Sequence, residues 1–105
     1  MNSGVLIVTG ASRGIGAAIA RLAAHHGFEV AVNFSRDESA ANEVVRTITE
    51  AGGRAVSICA DVDREKEVIR LFETAERKLG RLAALVNNAR PSAGRECGRH
   101  NSLLA

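Results

Sequence analysis

Tyrosine and tryptophan are absent from this sequence, and phenylalanine occurs only 3 times. So few aromatic faces argue against a base-stacking platform for nucleic acid. Charge of one sign is equally scarce: the net charge of +2 is too small to build a nucleic-acid surface. No apolar run is long enough to cross a membrane. The start has no basic flank followed by an apolar signal core, because the run from Val5 to Val8 is soon interrupted by Gly10. No nucleic-acid partner, no membrane partner and a cytoplasmic location are therefore expected. Cysteine is limited to Cys59 and Cys97, with neither metal-ligand nor redox-pair spacing, and Cys59 reads as a small core residue.

What is present is an ordinary soluble balance, 46% hydrophobic and 25% charged. The length suits one small domain or part of one. Strand-like and helix-like segments alternate. Val5–Thr9 is a short β-branched run, the pattern of a buried strand. From Ile15 the period changes, and Ile15, Ala18, Ile19, Leu22 and Ala23 predict one buried helix face. Gly27 stops that helix, with His25 and His26 solvent-facing in its last turn. Glu29–Phe34 predicts a second strand, and Ala40, Val44 and Ile48 align along a second helix that Gly52 and Gly53 end. "RAVSICA" predicts a third strand. Asp61 or Asp63 can cap a third helix, in which Val68, Phe72, Ala75 and Leu79 share a face. A fourth strand runs from Leu82 to Asn87.

The order βαβαβαβ is that of an α/β protein, a partial Rossmann-type, doubly wound parallel sheet with strand order 3-2-1-4. Composition shifts at Arg90. Residues 1–89 read as a nucleotide-binding half, and residues 90–105, which hold Pro91 and neither helical nor strand period, read as an irregular tail.

Glycines at 10, 14 and 16 sit between the first strand and the first helix. Ligands of such sheets bind outside the carboxyl ends of the strands, where a helix N-terminus offers free N–H groups and partial positive charge. A pyrophosphate approaches only if side chains do not block it. Gly10 allows the turn, Gly14 the approach and Gly16 the packing of helix on sheet, while Ser12 and Arg13 add a hydroxyl and a cation. No Lys-Ser or Lys-Thr follows, so this is not a P-loop.

"TGASRGIG" (Thr9–Gly16), "ADV" (Ala60–Val62) and "LVNNA" (Leu85–Ala89) resemble the short-chain dehydrogenase/reductase family, nearest to its 3-oxoacyl-carrier-protein reductases and glucose-dehydrogenase-like members. The resemblance covers residues 4–89. It implies a dinucleotide partner, with Gly10, Ser12, Arg13, Gly14, Ile15 and Gly16 as the phosphate loop. Asp61 would accept a hydrogen bond from the adenine amino group, with the Val62 backbone beside it. Asn88 and Ala89 would lie along the nicotinamide-side ribose, and Thr9 and Asn87 would tie the fourth strand to the first.

Past the second strand the chain reads "NFSRD". Ser35 and Arg36 follow the strand directly, Asp37 comes one residue late, and Arg13 can converge from the glycine loop. Two guanidinium groups suit a ribose 2′-phosphate, which favours NADP over NAD.

The resemblance also implies hydride transfer between nicotinamide and a carbonyl or alcohol carbon, served by a serine, a tyrosine and a lysine. No such constellation can be assembled here, because there is no tyrosine. Arg90 stands where the family has glycine, and Ala83 where it often has aspartate. The change at Arg90 reads as an altered reading frame or a truncated gene. Three readings stand: a cofactor-binding portion of an oxidoreductase, a non-catalytic dinucleotide module, or a non-functional fragment. The fourth strand is expected to be an uncovered edge that promotes self-association and leaves the fold marginal.

Overall fold

The 4 strands form one parallel sheet in the order β3-β2-β1-β4, with β1 at Val5–Val8, β2 at Glu29–Phe34, β3 at Ala55–Cys59 and β4 at Leu82–Val86. Helices α1 (Gly14–His25), α2 (Glu38–Glu50) and α3 (Glu65–Leu79) alternate with them. The computed structural model describes residues 3–88, so Ala89, Cys97 and the 90–105 segment lie outside the described residues.

Every residue of β1 and β2 is buried, because helices cover both faces of these central strands. Leu6, Val8, Val30 and Val32 form a core with Ala17 and Ala20 of α1 and Ala41, Val44 and Ile48 of α2. On the opposite face Val5, Ile7 and Ala31 pack with Leu71, Ala75 and Leu79 of α3. Cys59 packs half-buried against the first of these cores.

In α2, Val44 and Ile48 are buried as expected together with Ala41, while Ala40 is half-buried; in α3, Ala75 and Leu79 are buried together with Leu71, while Val68 and Phe72 are half-buried. The expected face of α1 needs correcting. Gly16, Ala17 and Ala20 face the sheet, Ile19 and Ala23 flank them, and Ile15 and Leu22 stand 73% and 59% exposed. The cause is steric: only a face of glycine and alanine lets α1 lie close against the end of β1. The small side chains decide the orientation over the larger apolar ones.

Asp37 caps α2, its carboxylate accepting from the Ala40 N–H at 3.0 Å. Neither Asp61 nor Asp63 caps α3, whose N-cap is Arg64 with no side-chain hydrogen bond. Asp61 instead accepts the Asp63 N–H at 3.0 Å, one turn earlier, and Glu65 and Glu67 supply acidic charge to the first turn of α3.

β4 pairs with β1 through a break in register. Val5 is opposite Leu82, but Leu6 is opposite Ala84, which leaves Ala83 as an extra residue. Gly4 crosses here at φ +101°, and a Cβ on it would sit 2.8 Å from the Cβ of Ala83.

Candidate functional site

The glycine turn lies past the carboxyl end of β1, where sheets of this order have their ligand crevice. Gly10 and Gly14 have φ of +61° and +63°, the left-handed region that glycine enters without penalty. Gly16 answers to crowding instead. A Cβ there would lie 2.3 Å from the Gly10 carbonyl oxygen and 2.6 Å from Asn88 Nδ2. At Gly14 a Cβ would meet nothing within 4 Å, so this part of the turn faces open space. The N-cap residue Arg13 makes no side-chain cap bond to α1, and a helix leaves its first-turn amides without partners inside the helix. Ser12 is half-buried, and Arg13 and Ile15 are exposed.

The end of β4 braces the turn from one side. The Thr9 N–H donates to the Val86 carbonyl at 3.0 Å, and Thr9 Oγ1 donates to Asn87 Oδ1 at 3.2 Å. The Asn88 N–H donates to Thr9 Oγ1 at 2.8 Å, and Asn88 Nδ2 donates to the Gly10 carbonyl at 3.0 Å. Thr9 and Asn87 thus tie β4 to β1 as expected, and Asn88 is drawn onto the glycine turn itself.

On the other side stands Asn33, a residue that motif reading passes over. It is 2% exposed inside β2. Its Oδ1 accepts the Gly10 N–H at 3.2 Å, and its Nδ2 donates to the carbonyls of Ile58 and Ala60 at 3.3 and 3.2 Å. The signal available in the sequence is one amide within the apolar run "EVAVNF", which burial obliges to be hydrogen-bonded.

Past β3, Asp61 is buried, with Oδ2 3.7 Å from Arg64 Nε. The Asp61 N–H donates to Glu67 Oε1 at 3.2 Å, and Arg70 Nη2 donates to both Glu67 Oε1 and the Cys59 carbonyl. The first turns of α3 therefore hold the "ADV" turn in place. Val62 packs half-buried on the α3 side of the core. A cleft of about 250 Å³ runs beside it between α3 and β4, lined by Thr9, Val62, Phe72, Leu85 and Asn87 among others.

Ser35 is half-buried and Arg36 exposed at the turn after β2. Arg13 reaches this turn, as expected, but its guanidinium pairs there with Asp37 Oδ2 at 2.8 Å. The two sides of that pair are 76% and 35% exposed. His25 and His26 are exposed at the far end of α1, their rings 5.5 Å apart. Glu43 is held below the usual carboxylate range by its hydrogen bond from Arg46, on the exposed surface of α2. Among the described residues no 3 His, Cys, Asp or Glu side chains gather to hold a metal, and no helix is long and apolar enough to cross a membrane.

This arrangement recurs in known proteins. The short chain dehydrogenase family model matches residues 4–100. The uncharacterised oxidoreductase YgfF of Escherichia coli (strain K12) is 47% identical over 85 residues, which are 81% of this chain and 34% of YgfF. Glucose 1-dehydrogenase 2 of Bacillus subtilis (strain 168) is 43% identical over 83 residues, 79% of this chain and 32% of that enzyme. Among solved structures, a hydroxysteroid dehydrogenase from Escherichia coli superposes with TM-score 0.79 at 39% identity, over 85% of this chain and 37% of that one. The landomycin C-6 ketoreductase LanV, solved with bound NADP and rabelomycin, gives 0.76 at 40% identity, over 84% of this chain and 38% of its own. The chain spans about a third of the length of these relatives. On the family model, the identity to its relatives and the shared sheet, the chain belongs to the short-chain dehydrogenase family.

Proposed function

We propose that this chain holds NADP(H) at the crevice, as the cofactor-binding portion of a short-chain oxidoreductase. The observation that carries the reading is the open face of Gly14 beside the uncapped N-terminus of α1. A diphosphate suits this place: a helix N-terminus offers amide donors, no described residue comes within 4 Å of a Cβ on Gly14, and the Arg13 guanidinium is at hand. Gly10, Ser12, Arg13, Gly14, Ile15 and Gly16 would hold the pyrophosphate. Asp61 would take the adenine amino group, with Val62 against the ring. Asn88 and Ala89 would border the nicotinamide ribose, Ala89 lying outside the described residues.

Ser35 and Arg36 would receive the ribose 2′-phosphate, which is the ground for preferring NADP to NAD. The NADP bound to LanV is in keeping with that preference. Calorimetric titration of the purified chain with NADPH and NADH, repeated on Arg36→Ala, tests it. Tighter binding of NADPH, lost in the variant, is the expected result. Equal affinity for the two cofactors would remove the preference, and binding of neither would remove the whole reading.

The bound nicotinamide supplies or accepts a hydride. The proton that accompanies it would come from a tyrosine in the family pattern, and these 105 residues contain none. We therefore read the chain, on its own, as holding the cofactor without turning over substrate in the cytoplasm. Assay with NADPH and a panel of ketones checks this, and turnover above background would refute it. A second reading, a dinucleotide module with no catalytic role, rests on the same missing tyrosine. Self-association through β4 is part of the proposal, since Leu85 on that strand is 45% exposed.

A further inference from the structure

Asn33 occupies a position where burial alone would favour an aliphatic side chain. Its neighbours on the strand, Val30, Ala31 and Val32, are fully buried and apolar. The reason for an amide lies where the sheet opens. The β1–β2 ladder ends at the pair Val8 and Val32, and the β2–β3 ladder ends at Phe34 and Cys59. Just beyond these ends lie the Gly10 N–H and the Ala60 carbonyl, past the last rungs of the sheet. The Asn33 side chain accepts from the first and donates to the second, each at 3.2 Å. Its own carbonyl also receives the Ala11 N–H at 2.8 Å. The Ala60 N–H likewise donates to the Phe34 carbonyl at 2.9 Å, so backbone bonds tie each turn to β2 separately, and the buried Asn33 side chain adds a bridge that joins the glycine turn directly to the residue that precedes Asp61.

We infer that Asn33 is a positioning residue that fixes the distance between the turn taking the pyrophosphate and the turn taking the adenine. This inference rests on the dinucleotide reading above. A ligand bound by both turns at once needs that distance to be right beforehand, whereas a ligand bound by one turn does not. A merely structural asparagine would make no such distinction.

The test titrates the ¹⁵N-labelled full chain, as wild type and as Asn33→Ser, with NADPH, with pyrophosphate alone and with adenosine alone. In the variant, NADPH affinity is expected to fall about tenfold, while pyrophosphate and adenosine stay within about twofold. Unchanged NADPH affinity, or an equal loss for all three ligands, overturns the inference. Should the variant not fold, the wild-type chain decides. Pyrophosphate bound at the glycine turn is expected to move the Asn33 side-chain NH₂ signals and the Asp61 amide, and signals that stay still overturn the inference. Wild-type chain that binds no NADPH overturns the functional reading and this inference with it. Binding of NADPH together with a silent Asn33 overturns the inference alone.

Discussion

The Arg13 guanidinium meets the Asp37 carboxylate at 2.8 Å, across the gap between the glycine turn and the turn after β2. Asp37 thereby has two duties, since its other oxygen caps α2 through the Ala40 N–H. A ribose 2′-phosphate entering this gap would compete with Asp37 for Arg13 and meet like charge. Because the pair is exposed, its own worth is small, about 0–1 kcal/mol.

Asp37→Ser separates the two duties. Serine keeps the cap, and the negative charge leaves. NADPH affinity is expected to rise about threefold to tenfold, and the change should shrink in high salt. Isothermal titration at two salt concentrations measures it, and weaker NADPH binding would count against the assignment of this turn.

Gly16→Ala tests the packing of α1 on the turn. Its Cβ would lie 2.3 Å from the Gly10 carbonyl oxygen, a backbone atom with no flexible chain to swing aside. The expected cost is about 1–3 kcal/mol, read as a lower midpoint in urea unfolding. Gly14→Ala meets no neighbour but is strained at φ +63°, so it should cost about 1 kcal/mol and weaken cofactor binding as well.

Leu22 and Ala20 provide a paired check on the orientation of α1. Leu22 is 59% exposed and Ala20 fully buried. Leu22→Gln should change stability by less than about 0.5 kcal/mol, whereas Ala20→Val should cost about 1–3 kcal/mol by overpacking. Reversed outcomes in thermal denaturation would restore the face that periodicity alone suggests.

That face illustrates where the sequence is readable. The short apolar strand runs and the helices α2 and α3 announce themselves, because one hydrophobic pattern and one burial partner suffice to specify each. In α1 two demands compete: large apolar residues at Ile15 and Leu22, and a glycine-alanine face that must touch the Gly10 turn. Spacing records the first demand, and only the assembled contact reveals the second. Asn33 escapes motif reading for a similar reason. Its partners, Gly10, Ile58 and Ala60, lie 23 to 27 residues away in sequence. Gly10, Gly14 and Gly16 are legible because positive φ or crowding leaves room for few other residue types there, whereas Asp61 and Asn88 stand out only through the family resemblance of "ADV" and "LVNNA".

The hydroxyl of Thr9 can be weighed separately. Thr9→Val keeps the shape but removes the acceptor of the Asn88 N–H and the donor to Asn87. Loss of this buried pairing should cost about 1–3 kcal/mol, measured by urea unfolding. Exchange of the Asn88 amide hydrogen should quicken in the same variant.

The extra residue at Ala83 carries a consequence at the far end of its strand. A strand presents alternate side chains to opposite sides, so one surplus residue inverts the phase of everything after it. Without the surplus, Leu85 would stand opposite Val8 in place of Val86, and the pair Asn87 and Asn88 would arrive one step out of phase with Thr9 and Gly10. The asparagine that now grips the Gly10 carbonyl would then project to the wrong side. A small defect at the bottom of the sheet thus selects, several residues later, which of two adjacent identical side chains braces the glycine turn.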